Sequence, residues 1–167
     1  MTAEEITQYL TELNDELRLV DIRGEVSLYG GAVMVLAFNT RIATKDIDAV
    51  FEPVREIRNA SHRIAERHNL NLDWLNMAVK IFVVNHQREL LFELSNLRVT
   101  VPEPDYLLAM KVLALRPGTE DESDAKFLID RLQLLSADDV LKIVADYYPN
   151  KEIKPRTIVW LDGIFNK

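Results

Sequence analysis

The chain contains no cysteine among its 167 residues. That excludes a disulfide framework and any thiolate metal site. No run reaches the ~18 apolar residues that a membrane-spanning helix requires. The opening stretch, "MTAEEITQYL", has neither the basic nor the apolar region of a signal peptide. The expectation is a cytoplasmic protein with no membrane partner. Basic residues are in the minority, 20 against 27 acidic, for a net charge of −7. This argues against a general nucleic-acid coat, because phosphate binding depends on clustered Lys and Arg, and leaves a local basic groove open. Five glycines and six prolines are too few for low-complexity segments or long linkers. No internal repeat occurs. There is no Gly-x-x-x-x-Gly-Lys-Ser/Thr loop and no Gly-x-Ser-x-Gly elbow, which excludes a P-loop NTPase and that type of serine hydrolase.

What is present is apolar material for a core, 48% of the chain, in patterns that alternate between helix and strand periods. Thr2 and Glu5 form a capping-box pattern. Ile6, Leu10, Leu13 and Leu17 follow at helical spacing, so residues 3–18 are expected to be an amphipathic helix. "GEVSLYGG" alternates as a strand that ends at the glycines. "AVMVLAF" is apolar all round, and the glycine pair favours a strand–turn–helix reading. "KDIDAVF" reads as a short strand. Pro53 suits the first turn of a helix running to about Asn69. "LDWLNMAVKIFVV" is ambiguous, with room for a short helix. "ELLFELSNLRVTV" reads as two strands around a Ser95-Asn96 turn. Four helical stretches follow, the third capped by Ser136 with Asp139 and the last opened by Pro155. The expected fold is α/β in the α+β sense, a small mixed sheet flanked by helices with a helical C-terminal half. We expect one domain over 1–167, with its core at about 24–101 and the helical part at about 104–167.

The pair Asp46 and Asp48 is the feature a core strand does not need. Residues two apart on a strand share a face, so the carboxylates lie side by side. At about 4 Å they repel by roughly 4 kcal/mol at an effective dielectric near 20. Basic partners, a shared proton or a divalent cation offset such repulsion. A lone Asp-x-Asp is more often a charged strand end. Here it follows Gly30-Gly31 and "Arg-x-x-Thr". A glycine pair between strand and helix lets backbone N–H groups approach a phosphate, although on its own it is more often just a tight turn.

"GGAVMVLAFNTRIATKDIDAVF" resembles the signature of the nucleotidyltransferase superfamily, the polymerase-beta-like fold. "LLAMKVLALR" and "DESDAKFLIDRL" are similar to the downstream helices of small bacterial members, including AbiEii-type and MenT-type toxins. The resemblance covers roughly residues 24–131. It implies transfer of a nucleoside monophosphate from an NTP to an RNA, protein or small-molecule acceptor. It also implies Mg²⁺ or Mn²⁺ on Asp46 and Asp48, Gly30 and Gly31 under the phosphates, and Lys111 neutralising them. A cognate antitoxin would be a partner of the toxin branch. The superfamily's third carboxylate has two candidates here. Glu93 lies in a strand. Asp124 lies in a helix and is preferred because Lys111 precedes it at about the expected distance, although Ser123 replaces the family's basic residue before it.

Arg41 could reach a phosphate and Thr44 could support the metal ligands, each against an equal expectation of a plain loop role. Arg55, Arg58, His62 and Arg63 share a helical stripe interleaved with glutamates, which fits a solvated salt-bridged face. His62, His68 and His86 show no metal spacing. Trp74 and Trp160 are expected in the core, with Asn76 as a remote candidate for lining a nucleotide.

Overall fold

A computed structural model describes residues 1–166. Its backbone contacts divide into two compact units. The first comprises Met1–Val83 and Arg88–Pro102; the second comprises Val84–Gln87 and the chain from Glu103 onward. The division falls where the composition changes from strands to helices, and the α+β class expected from the sequence is observed.

In the first unit, β1 (Gly24–Tyr29) sits at the centre of a five-stranded mixed sheet with β2 (Ile47–Glu52), β3 (Leu75–Asn76), β4 (Arg88–Glu93) and β5 (Leu97–Pro102). The order is β3-β2-β1-β5-β4. β1 pairs antiparallel with β2 and parallel with β5. Between β1 and β2 lies α2 (Gly30–Leu36); before β1 lies α1 (Ala3–Leu19); after β2 lies α3 (Val54–His68). The ambiguous stretch after α3 resolves into the two-residue β3 and a 3₁₀ helix, Ala78–Phe82. The edge strand β4 carries Arg88, Glu89 and Glu93 and a register irregularity between Leu90 and Phe92, devices that discourage pairing with another chain.

Strand periodicity decides which residues are buried. Val26, Leu28, Ile47, Ala49, Phe51, Leu97 and Val99 are buried. The residues between them, such as Glu25, Ser27, Asp48, Val50, Arg98 and Thr100, are exposed or half-buried. α1 contributes Ile6, Leu10, Leu13 and Leu17 to the core. Each such side chain stabilises the fold by roughly 1.5–3 kcal/mol when fully buried. The Thr2–Glu5 capping box forms as expected. Asn14 of α1 is buried and accepts a hydrogen bond from the Asn96 N–H (2.6 Å), which seats the β4–β5 turn on the helix.

A salt-bridged face lies between α1 and α3; of the expected stripe it includes Arg63, paired with α1 rather than with the interleaved glutamates. Arg63 reaches Glu16 (2.8 Å), and Arg67 bridges Glu12 (2.7 Å) and Glu16 (2.6 Å). His68 Nε2 lies 2.8 Å from a Glu12 oxygen. Burial pulls the Glu12 and Glu16 carboxyls up. The hydrogen bonds from His68, Gln8 and Arg67 to Glu12, and from Arg67 and Arg63 to Glu16, outweigh it and hold both below the ordinary range. Trp74 is core, its Nε1 donating to the Ser61 carbonyl (2.9 Å).

The second unit contains α4 (Pro104–Ala114), α5 (Glu120–Arg131), α6 (Ala137–Tyr147) and α7 (Pro155–Phe165). Tyr106 organises it: its hydroxyl pairs with that of Tyr148 (2.7 Å), accepts from the Val84 N–H (3.1 Å), and its ring stacks on His86 at 3.9 Å between centroids. Trp160, expected in the core, is only half-buried, because α7 turns Thr157 and Leu161 inward instead. Among the described residues no helix is long and apolar enough to cross a membrane.

Leu28→Ala, in the central strand, is expected to lower unfolding stability by about 2–5 kcal/mol, read from urea midpoints. The depressed Glu12 and Glu16 carboxyls contribute stability that is present above their unfolded pKa and lost as pH falls through their lower folded values. Glu16→Gln should therefore flatten the acid limb of the stability–pH curve, with little change in its slope above neutrality.

Candidate active site

The site is built at the end of β1. Tyr29, its last residue, pairs with Asp48 of β2. Asp48 lies between the buried Ile47 and Ala49, so its side chain belongs to the opposite sheet face. Asp46 shows the same half-buried environment but lies just before β2, not within it as expected. It sits in a bend, with the exposed Lys45 before it, so the strand alternation stops at Ile47.

Gly30 and Gly31 form the first turn of α2 rather than a turn before it. Gly30 has φ +61°, and a β-carbon there would lie 2.9 Å from Asp48 Oδ2. A β-carbon on Gly31 would lie 2.7 Å from Thr44 Oγ1 and 3.0 Å from Arg41 Nη1. The two glycines are thus required by different contacts, and each contact is with a residue expected at the site. Thr44 Oγ1 also donates to the Asp46 carbonyl (3.1 Å). Gly30, Gly31, Arg41, Thr44, Asp46 and Asp48 therefore converge at one corner of the first unit.

Of the remaining expected site residues, Glu93 lies elsewhere in the first unit. Glu93 ends the edge strand β4, and β1 and β5 separate that strand from β2. It pairs with Arg98, which is level with Glu25 at the start of β1, whereas Asp48 is level with Tyr29 at its end. At about 4.8 Å per strand and 3.3 Å per residue, Glu93 is more than about 15 Å from Asp48. It forms an ion pair with Arg23 instead. Glu93 is therefore not the third carboxylate of this site.

Lys111 and Asp124, in the second unit, are brought together with each other. Lys111 Nζ donates to Asp124 Oδ2 at 2.7 Å, and the two side chains are 10% and 2% exposed. Beside them Arg116 Nε donates to Asp121 (3.0 Å). Burial pulls the Asp121 carboxyl up, but hydrogen bonds from Arg116 and Thr119 and the nearby charges of Lys111 and Arg116 hold it below its usual range. A buried pair of this kind is a structural element whose partners depend on each other.

Asn76 lies beside Asp48 in the β2–β3 pairing. Its amide is used locally, donating to the Asp73 carbonyl and accepting from the Ala78 N–H (3.1 Å), so it shapes the turn into the 3₁₀ helix. Sequence reasoning missed the pairing of the Arg41–Asp46 segment with the chain start: the Thr44 N–H donates to the Met1 carbonyl at 2.9 Å. Main-chain hydrogen bonds leave no side-chain signature.

On the β2 side the structure offers Asp48, with Asp46 two residues before it in the bend that precedes the strand. Among the described residues no group of three or more His, Cys, Asp or Glu side chains gathers to hold a metal. Two carboxylates with the remaining positions filled by water and phosphate oxygens suit Mg²⁺, which seldom uses an all-protein cage.

Gly30→Ala should cost about 1–2 kcal/mol, from the left-handed backbone alone, and more through its approach to Asp48; the thermal midpoint reads both. Lys111→Met, which leaves Asp124 buried without its cation, should cost about 3–5 kcal/mol, and the Lys111→Met/Asp124→Leu double variant should recover most of that. Chemical denaturation of the two variants distinguishes a structural pair from two independent surface charges.

No family model, no curated protein and no solved structure matches this chain.

Proposed function

We propose that the corner formed by β1, α2 and β2 is a metal-dependent nucleotidyl-transfer site. The observation that carries this reading is the convergence of Asp48 with Gly30, and of Arg41 and Thr44 with Gly31. The resemblance implies a role in metal and nucleotide binding for Asp48, Gly30 and Gly31, and Arg41 and Thr44 are the residues beside them that the sequence reading offers for a phosphate and for the metal ligands. In the reaction an acceptor oxygen attacks the α-phosphorus of an NTP, the bond from that phosphorus to the β-phosphate oxygen breaks, and pyrophosphate leaves. The acceptor's proton passes to solvent.

Asp46 and Asp48 would hold Mg²⁺ or Mn²⁺. When bound, the ion supplies Lewis-acid charge to the phosphate oxygens and lets the two carboxylates share one face. Gly30 and Gly31 carry no side chain, so the backbone at the start of α2 is open to close approach. The Arg41 guanidinium adds positive charge beside it. Phosphoryl-group transfer depends mainly on positioning and on charge stabilisation, which is work this corner is equipped to do. Acceptors of the RNA, protein and small-molecule classes all fit the reading, as does a cytoplasmic toxin with a cognate antitoxin.

A second reading is favoured by a specific observation. Glu93 is remote, Asp124 is held by Lys111, and no third carboxylate joins Asp46 and Asp48 among the described residues. A catalytically silent module of the same architecture, binding a protein partner, would show this pattern. Metal-dependent NTP binding separates the two.

Incubation with Mg²⁺ or Mn²⁺ and each α-labelled NTP, with total RNA and cell extract present, is expected to give a labelled product. Its size would identify the acceptor class. The Asp46→Asn/Asp48→Asn variant should reduce labelling by at least about 100-fold, the scale of losing groups that position and stabilise a charged transition state. Equal labelling by the variant would remove these residues from the site. No label and no metal-dependent NTP binding would select the silent module.

A further inference from the structure

We propose that the main chain of Met1 and Thr2 is the positioning element of the segment that carries Arg41, Thr44 and Asp46. The functional consequence rests on the transfer-site reading above; the structural part does not. None of the residues from Asn39 to Asp46 is buried, and Ile42 is 90% exposed. The segment thus puts no side chain into the core; its start is fixed to α2, where the Thr40 N–H donates to the Met34 carbonyl (3.0 Å).

Its main-chain partners from Ile42 to Thr44 come from the start of the chain. The Met1 nitrogen donates to the Thr44 carbonyl (2.6 Å), the Thr44 N–H donates to the Met1 carbonyl (2.9 Å), and Thr2 bridges Ala43 antiparallel. The arm is itself fixed at its other side. Thr2 caps α1: its hydroxyl accepts from the Glu5 N–H (3.2 Å), its N–H donates to Glu5 Oε2 (2.8 Å), and its carbonyl accepts from the Ile6 N–H (2.9 Å). Ile6, the first core residue of α1, is fully buried. Rigidity thus passes from the core through Ile6, Thr2 and Met1 to Thr44. From Thr44 it reaches Gly31, at the approach a β-carbon would close to 2.7 Å, and the Asp46 carbonyl. The arm touches no reacting atom; it holds the residues that would.

Amide hydrogen exchange and Mn²⁺ titration test this on three chains: wild type, Thr2→Ala, and a chain beginning at Ala3 released from a cleavable leader. Thr2→Ala keeps the Met1–Thr44 main-chain pair and should change Thr44 exchange by less than about threefold. The chain lacking Met1 and Thr2 should exchange the Thr44 amide at least about tenfold faster, with the amides of β1 and β5 unchanged. It should also bind Mn²⁺ several-fold more weakly. A Ser136→Ala chain, which loses a helix cap in the second unit, controls for general destabilisation and should keep wild-type Mn²⁺ affinity.

Unchanged Thr44 exchange on removing the arm overturns the proposal, as does an equal loss of Mn²⁺ affinity in Ser136→Ala. If the shortened chain does not fold, wild type alone decides. Its Thr44 amide should exchange about 100-fold more slowly than that of the exposed Ile42, and equal rates overturn the proposal. Absence of Mn²⁺ binding by wild type would instead defeat the transfer-site reading, while the exchange rates still settle whether the arm holds the segment.

Discussion

The burial of Ile47, Ala49 and Phe51 is the constraint on which the site depends. These three side chains share one face of β2 and are almost wholly removed from water. A strand has a side-chain period of two, so satisfying them commits Asp48 to the other face. A slip of one residue would bury the Asp48 carboxylate and expose three apolar side chains, at a cost no local interaction could offset. The same pairing register fixes Asp48 opposite Tyr29, and hence beside the glycine that follows it. The position of a polar site is thus determined by apolar packing on the opposite side of the sheet.

The glycine pair shows how a short motif can serve two requirements. Gly30 takes a left-handed backbone angle and leaves room for the Asp48 carboxylate; Gly31 leaves room for the Thr44 hydroxyl and the Arg41 guanidinium. A turn that merely reversed the chain would need neither contact. Side chains from the segment before β2 thus come close to the main chain at the start of α2, while main-chain hydrogen bonds to Met1 hold the segment. Preorganised polar groups are what transfer of a charged phosphoryl group requires.

The Lys111–Asp124 pair shows what packing within the second unit adds to the sequence reading. Read along the chain, Lys111 and Asp124 look like two separate contributors to a nucleotide site. In the structure each satisfies the other at 2.7 Å across α4 and α5, with Arg116 and Asp121 beside them. A buried charge needs a partner, and here that partner is internal. Glu93 differs for another reason: a strand sequence does not state its place in the sheet order, and β4 is at the edge.

What the sequence by itself determined is what depends on local periodicity and backbone preference. The Thr2 and Ser136 caps, the helical spacing of α1, the strand that runs into a helix opened by glycines, the outward face of Asp48 and the Ser95-Asn96 turn are all of this kind, and all are present; Asp46, in the bend before β2, lies outside that periodicity. Periodicity could not resolve the stretch after α3, where a two-residue strand and a 3₁₀ helix are too short to show one, nor the half-exposure of Trp160. Tertiary structure alone decided the rest. Strand order removed Glu93 from the site, helix packing joined Lys111 to Asp124, and main-chain hydrogen bonds tied Thr44 to Met1. Each is a contact between residues far apart in the chain. Such contacts arise from which surfaces meet once elements pack, and neither side-chain spacing nor composition records that choice.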